Sequence, residues 1–157
     1  MLEIGTTVPD LALEDTEGHA VRLADYRGKD NVLLYFMRST TCPVCNNHVK
    51  DLAQLTATDV RVLVAVPEGR TRAAAWLAKR KLPFQVVTGR HGSPHEAVGL
   101  PRKVFGALQQ SGSLLIDRDG IIRHAHAATM PTHSYDKKGI IEAIRVLSAQ
   151  APGGTTR

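Results

Sequence analysis

The sequence predicts one α/β domain over residues 1–150, with a mixed central β-sheet flanked by helices and an N-terminal β-hairpin extension. Three observations predict it. Apolar, β-branched runs at Asn31–Met37 and Asp59–Val66 read as buried strands, and each precedes a stretch of helical composition. Strand signals at Ser113–Ile116 and Ile121–Ala125 flank Asp117-Arg118-Asp119-Gly120, a hairpin turn. Finally, Ile140, Ile144 and Leu147 recur at helical spacing, so an amphipathic helix beginning near Asp136 covers the sheet.

Taken in order, Leu11-Ala12-Leu13 and Val21-Arg22-Leu23 pair across the turn residues Asp15-Thr16-Glu17-Gly18 as a small hairpin. Ala24–Gly28 is a helical turn closed by Gly28. A helix over 43–57 puts Cys45, Val49, Leu52 and Ala53 on one face. Pro67, Glu68 and Gly69 end the second core strand. Thr71–Lys81 is the next helix and Pro83 marks its stop. Phe84–Thr88 is a third short strand. Residues 89–111, punctuated by Gly89, Gly92, Pro94 and Pro101, are irregular, with a helical stretch expected over 102–108. Residues 151–157 are a polar, Gly-rich tail expected to be disordered.

At 157 residues and 43% hydrophobic content, the chain can bury a substantial core. There is no run of about 18 apolar residues, as a spanning helix would need, and Met1-Leu2-Glu3-Ile4-Gly5 lacks the pattern of a secretory signal, so a cytoplasmic location without membrane contact is expected. A net charge of +5 invites a nucleic-acid partner. With aromatics at only 4% and no accompanying motif, the cluster Arg70, Arg72, Lys79, Arg80 and Lys81 reads instead as a solvated helix face, and no nucleic acid is expected.

The chemistry concentrates in Cys42-Pro43-Val44-Cys45, which holds both cysteines of the chain. The core strand delivers them to a helix start, where unpaired N–H groups and the helix dipole favour thiolate over thiol. Pro43 suits the first helical position, where its missing N–H costs nothing. In a reducing compartment such a pair is redox-active or metal-binding rather than a staple. Cys42, Cys45 and His48 form Cys-x-x-Cys-x-x-His, but a closed zinc site needs four ligands and there is no second close pair, so no metal or other cofactor is expected and His48 reads as a solvated helix residue. Inert core cysteines are the bland reading, disfavoured by the pair's place at a turn.

Arg38 and Thr41 are the expected supporting residues. Arg38 ends the core strand, where its charge can lower a thiol pKa. Thr41 can donate to a thiolate or cap the helix. Trp76, at helical spacing with Arg72 and Arg80, reads as packing. Of the remaining histidines, His91 and His95 read as exposed loop residues, with cleft lining as the alternative. His124 and His126 share one strand face, whereas His19 and His133 carry no signal.

Val8-Pro9-Asp10, Asp15-Thr16-Glu17-Gly18, Tyr26-Arg27-Gly28-Lys29, the strand into Cys42-Pro43-Val44-Cys45, and Ile116-Asp117-Arg118-Asp119-Gly120 occur in the order seen in redoxins. Over roughly residues 5–148 the chain resembles the alkyl hydroperoxide reductase/thiol-specific antioxidant family, peroxiredoxin-like proteins of thioredoxin-like fold. The resemblance implies a thiol or thioredoxin-type reductant, a disulfide or peroxide substrate, and a homodimer. Aligned without a gap, the family's peroxide-attacking cysteine falls on Cys45, its preceding threonine on Cys42, its motif proline on Arg38 and its arginine near Ser111. The peroxidase's polar cradle is therefore largely replaced, while a thioredoxin-type dithiol is intact.

These features point to an oxidoreductase cycling Cys42 and Cys45 between dithiol and disulfide, with Cys42 the exposed attacker and Cys45 the resolving thiol. Disulfide exchange is the expected reaction. Thiol-dependent reduction of hydrogen peroxide or alkyl hydroperoxides is the alternative, and a non-enzymatic redox sensor or zinc-binding adaptor is the second.

Overall fold

The computed structural model describes residues 1–55, 60–103, 108–130, 133 and 135–150. The expected tail at 151–157 and residues 56 and 57 of the helix expected over 43–57 lie outside them.

The sheet is built around the most apolar run. Asn31–Phe36 (β3) is buried along its whole length. It pairs in parallel with Val60–Ala65 (β4) on one side and antiparallel with Ser111–Ile116 (β8) on the other. Alternation along β3 sends Leu34 and Phe36 to one face and Leu33 and Tyr35 to the other. Both faces are covered, which is why the strand reads as continuous rather than alternating hydrophobicity.

Beyond β4 lies parallel Gln85–Gly89 (β5), and beyond β8 lies antiparallel Ile122–Ala128 (β9). The N-terminal hairpin, Leu13–Asp15 (β1) with Ala20–Val21 (β2), does not hang off the domain. Leu13 opposes Gly89, so β1 continues the same sheet and brings it to seven strands. The Asp117 turn forms as expected: Asp117 Oδ1 accepts from Asp119 N and Ile121 N, and Gly120 takes φ +82°.

Pro43–Leu52 (α1), Arg70–Ala78 (α2) and Lys137–Ala149 (α4) cover the Leu33/Tyr35 face. Their buried residues Cys45, Val49, Leu52, Ala73, Trp76, Ile140 and Leu147 join one apolar cluster. The other face is closed by the N-terminal segment through Val8, Leu11 and Leu23, and by Val98 and Leu100 after the short helix Pro94–Ala97 (α3). Burying side chains such as Phe36, Leu63 and Leu114 contributes about 1.5–3 kcal/mol each.

Three expectations need correction. The helix expected over 43–57 ends at Leu52, where Gln54 N and Leu55 N turn back to Asp51 O and Leu52 O. α2 stops at Ala78 rather than Lys81, well before Pro83, because Lys79 N and Arg80 N close the end with tight bonds to Trp76 O and Leu77 O. The helix expected over 102–108 gives way at both ends to strand: Arg102–Lys103 (β6) pairs antiparallel with Leu108–Gln109 (β7). Composition alone favours a helix there, but Gln109 is tied to Leu100 O across the hairpin base, a contact no local pattern contains. Among the described residues, no helix is long and apolar enough to cross a membrane.

Candidate active site

The site grows from the carboxyl ends of β3 and β4, the usual location of ligand sites in sheets with parallel strands. Met37 N still bonds Ala65 O, so the chain is held to β4 one residue beyond the end of β3. The chain then turns through Arg38–Thr41 and enters α1 at Pro43, the first helical position.

Cys42 is the N-cap of α1. Its backbone is extended, and its Sγ accepts from Cys45 N at 3.3 Å. Both cysteines are free thiols. The expected division into exposed attacker and buried resolver holds only in rank: Cys42 is 5% exposed and Cys45 0%. Cys42 is itself buried because capping folds its sulfur back over the helix start. Its sulfur lies near enough to that of Cys45 to help hold the Cys45 thiol protonated.

Burial, chiefly, and the hydrogen bond to Cys42 push the Cys45 thiol up to about 12. The backbone N–H groups of Arg38 and Ser39 face its sulfur and act in the opposite sense. Arg38 thus reaches Cys45 through its backbone. Its guanidinium lines a cleft in front of the turn, with Nε buried and without a hydrogen-bond partner. Thr41 is exposed, and its hydroxyl pairs with Ser39 Oγ at 3.2 Å, while the cap expected of it is supplied by Cys42. Ser111 starts β8 fully buried, its Oγ unpartnered among the described residues.

The turn is clamped by residues that carry no signal in the sequence. Glu68 Oε2 accepts from both Thr40 N and Thr40 Oγ1 at 2.9 Å. Asn46 Nδ2 donates to Thr40 O at 3.0 Å and Cys42 O at 2.8 Å, while Asn46 Oδ1 accepts from Trp76 Nε1 at 2.8 Å. Trp76 is core packing, as expected, with Arg80 stacked 4.7 Å over its ring. As the only tryptophan, it is wired to the redox pair through a single side chain. Oxidation of the dithiol is expected to change its fluorescence, and Asn46→Ala to remove most of that change, checked by comparing emission of reduced and oxidised protein.

His95 corrects the sequence reading most. Expected as an exposed loop residue, it is 0% exposed, set edge-on to Phe36. Its Nε2 lies 2.6 Å from Met37 O. A carbonyl only accepts, so Nε2 carries the proton and Nδ1 is bare. Burial holds the ring neutral, its pKa lowered to about 4. His95 therefore braces the residue just before the turn whose N–H groups face Cys45. His91 is exposed, as expected.

His48 is not the solvated helix residue expected. Half-buried, its Nδ1 sits 3.0 Å from Tyr35 OH, and its ring lies 5.0 Å from that of Tyr135. Tyr135 OH donates to Asp51 at 2.6 Å, which ties α1 to the start of α4. Among the described residues, no group of three or more His, Cys, Asp or Glu side chains is placed to hold a metal. His124 and His126 do share a face; His124 approaches Asp136 at 3.6 Å and His126 bonds the backbone of His133.

Similar proteins carry the same architecture. Alkyl hydroperoxide reductase E of Mycobacterium tuberculosis (strain ATCC 25618 / H37Rv) is 28% identical over 158 residues, covering 95% of this chain and 100% of that protein. Peroxiredoxin Bcp of Bacillus subtilis (strain 168) is 29% identical over 129 residues, 76% of this chain and 81% of its own. The crystal structure of Peroxidoxin BcpB from Mycobacterium tuberculosis superposes with a TM-score of 0.77 at 17% identity, covering 96% of this chain and 99% of that one. A putative thiol:disulfide interchange protein DsbE from Chlorobium tepidum gives 0.68 at 23%, covering 92% and 99%. At those identities the structures speak for a shared thioredoxin-like fold. The AhpC/TSA family model matches residues 4–125, from the N-terminal segment through the dithiol helix and into β9, and the chain belongs to that family.

Proposed function

We propose that this chain is a thiol-dependent oxidoreductase in which Cys42 attacks first and Cys45 resolves, the pair cycling between dithiol and disulfide. The observation that carries this order is the position of Cys42 Sγ, outermost at the helix cap and aimed at by Cys45 N–H, above a Cys45 that is fully sealed. That N–H and the helix dipole stabilise charge developing on the outer sulfur.

With a disulfide substrate, the Cys42 thiolate attacks one sulfur, the substrate S–S bond breaks, and the departing thiolate takes a proton. Cys45 then loses its proton and attacks Cys42 Sγ. The Cys42–Cys45 bond forms as the second substrate thiol leaves, so two electrons pass from the protein to the substrate. Capping Cys42 removes the neighbouring charge and hydrogen bond that oppose Cys45 ionisation, while the Arg38 and Ser39 N–H groups remain to receive the new thiolate. An external thiol or thioredoxin-type donor reopens the bond.

Hydroperoxide reduction is the second reading, favoured by the names of the relatives. There the attacked O–O bond breaks, Cys42 becomes a sulfenic acid, an alcohol or water leaves, and Cys45 condenses with loss of water. Ser111, in place of the family's arginine, weighs toward disulfide exchange. Rapid mixing of reduced protein with hydrogen peroxide and, separately, with a model disulfide tests this. Reaction with either, orders of magnitude faster than a free thiol, is expected, whereas free-thiol rates with both overturn the proposal.

The reading includes a single domain over 1–150, supported by one seven-stranded sheet. It also includes a cytoplasmic setting, where reduced thiols persist, and a homodimer by resemblance to the family.

A further inference from the structure

In front of the turn lies a cleft of about 340 Å³, within the size range of small-molecule sites. Arg38 and Thr41 come to it from the turn, Glu68 from the segment after β4, Arg72 from α2 and Arg102 from β6. Four separate parts of the chain thus place three guanidinium groups against one carboxylate. One oxygen of that carboxylate is engaged, Glu68 Oε2 accepting from Thr40, while Oε1 is buried without a hydrogen-bond partner among the described residues. Among the described residues, Arg38 and Arg72 have no ion-pair partner, and Arg38 Nε is a buried donor with nothing to donate to. An unmade bond of that kind is costly, and an anion seated in the cleft offers this guanidinium a counter-charge.

Neither sulfur lines the cleft, but Thr41 does and Cys42 is the next residue. A small molecule with its anionic end among the arginines is thus seated one residue along the chain from Cys42. Glu68 offsets one of the three guanidinium charges, and the planar forks of Arg38 and Arg72 match the two oxygens of a carboxylate.

Resting on the function proposed above, we infer that this cleft is a carboxylate-binding subsite of the dithiol centre. It takes small substrates that carry a carboxylate beside the reacting group, with Arg38 and Arg72 as the principal contacts. Two reactants share that chemistry. A carboxylated thiol reopens the disulfide, two thiols being oxidised to one disulfide as Cys42 and Cys45 are reduced. A carboxylated hydroperoxide oxidises the dithiol, leaving an alcohol and water.

Two matched pairs separate these sources: N-acetylcysteine against N-acetylcysteine amide with the oxidised protein, and cumene hydroperoxide against its para-carboxylate with the reduced protein. Each rate is normalised to the same reagent acting on a free model disulfide or thiol. In at least one pair the acid is expected to react about 10-fold faster than its neutral partner. That preference is expected to fall toward unity in Arg38→Gln and in Arg72→Gln. Arg145→Gln makes the same charge change on α4, where Arg145 pairs with Glu142, and is expected to retain the preference. Preference in the thiol pair assigns the subsite to the reductant, and in the peroxide pair to the oxidant. Equal rates for acid and neutral partner in both pairs overturn the inference alone, as does a preference lost equally in Arg145→Gln. Free-thiol rates with every reagent overturn the proposed function and the subsite together.

Discussion

Cys42→Ser is expected to lower turnover by on the order of 1000-fold or more, whereas Cys45→Ser is expected to react once and stop. The asymmetry follows from position. Cys42 Sγ caps the helix and is the sulfur a substrate meets first; Cys45 is fully buried, with its thiol held protonated by burial. Removing the outer sulfur leaves only a sealed thiol whose burial, the largest cause of its raised pKa, persists. Removing the inner one leaves the first attack possible but no resolving partner, so a mixed disulfide or sulfenic acid accumulates. Mass spectrometry after one exposure to substrate distinguishes the variants. A trapped adduct on Cys42 in Cys45→Ser supports Cys42 as the first attacker. An adduct on Cys45 in Cys42→Ser, formed at the wild-type rate, reverses the order in favour of the gapless family alignment. Serine retains N-cap competence, so a loss in Cys42→Ser is not a loss of the helix.

His95→Phe is the second large effect. Phenylalanine fills nearly the same volume but leaves Met37 O without its donor, a cost of about 1–3 kcal/mol for a buried group. As a positioning residue, His95 is expected to act on Cys45 reactivity as well as on stability, because it braces the residue preceding Arg38 and Ser39. In the variant, the pH profile of Cys45 alkylation, measured with Cys42 replaced by serine, is expected to shift. His95→Gln, which can return a donor to Met37 O, is expected to restore it; an unmoved profile in His95→Phe reduces the histidine to packing.

The same residue makes stability depend on pH with a defined sign. Its folded pKa of about 4 lies below the ordinary value of 6.5, so below pH 6.5 the unfolded chain binds a proton that the folded chain refuses. Its contribution is intact above that pH. It falls by about 1.4 kcal/mol per pH unit as pH drops toward 4, about 3 kcal/mol in all. Burial lowers His48 and His124 in the same direction, so they add to the loss. Urea denaturation at pH 7 and pH 5 checks it: His95→Gln is expected to lose about 2 kcal/mol less than the parent over that interval.

Some of this molecule is written locally and some is not. The sequence by itself determined the order of the main-sheet strands and of the three longer helices, the turn at Asp117–Gly120 and the delivery of two cysteines to a helix start. Each depends on periodicity and turn chemistry within a few neighbouring residues. Only the tertiary structure decided which sulfur lies outermost, that His95 is a brace rather than a loop ornament, and that Arg38, Arg72 and Arg102 face one cleft. It also decided that residues flanking 104–107 pair as strands. The contacts behind these outcomes join residues 28, 30 and 58 positions apart, Thr40 with Glu68, Asn46 with Trp76, and Met37 with His95. Polar side chains so far apart leave no periodic trace, and they meet because the pairing of β3, β4 and β5 lays the segments that follow these strands side by side.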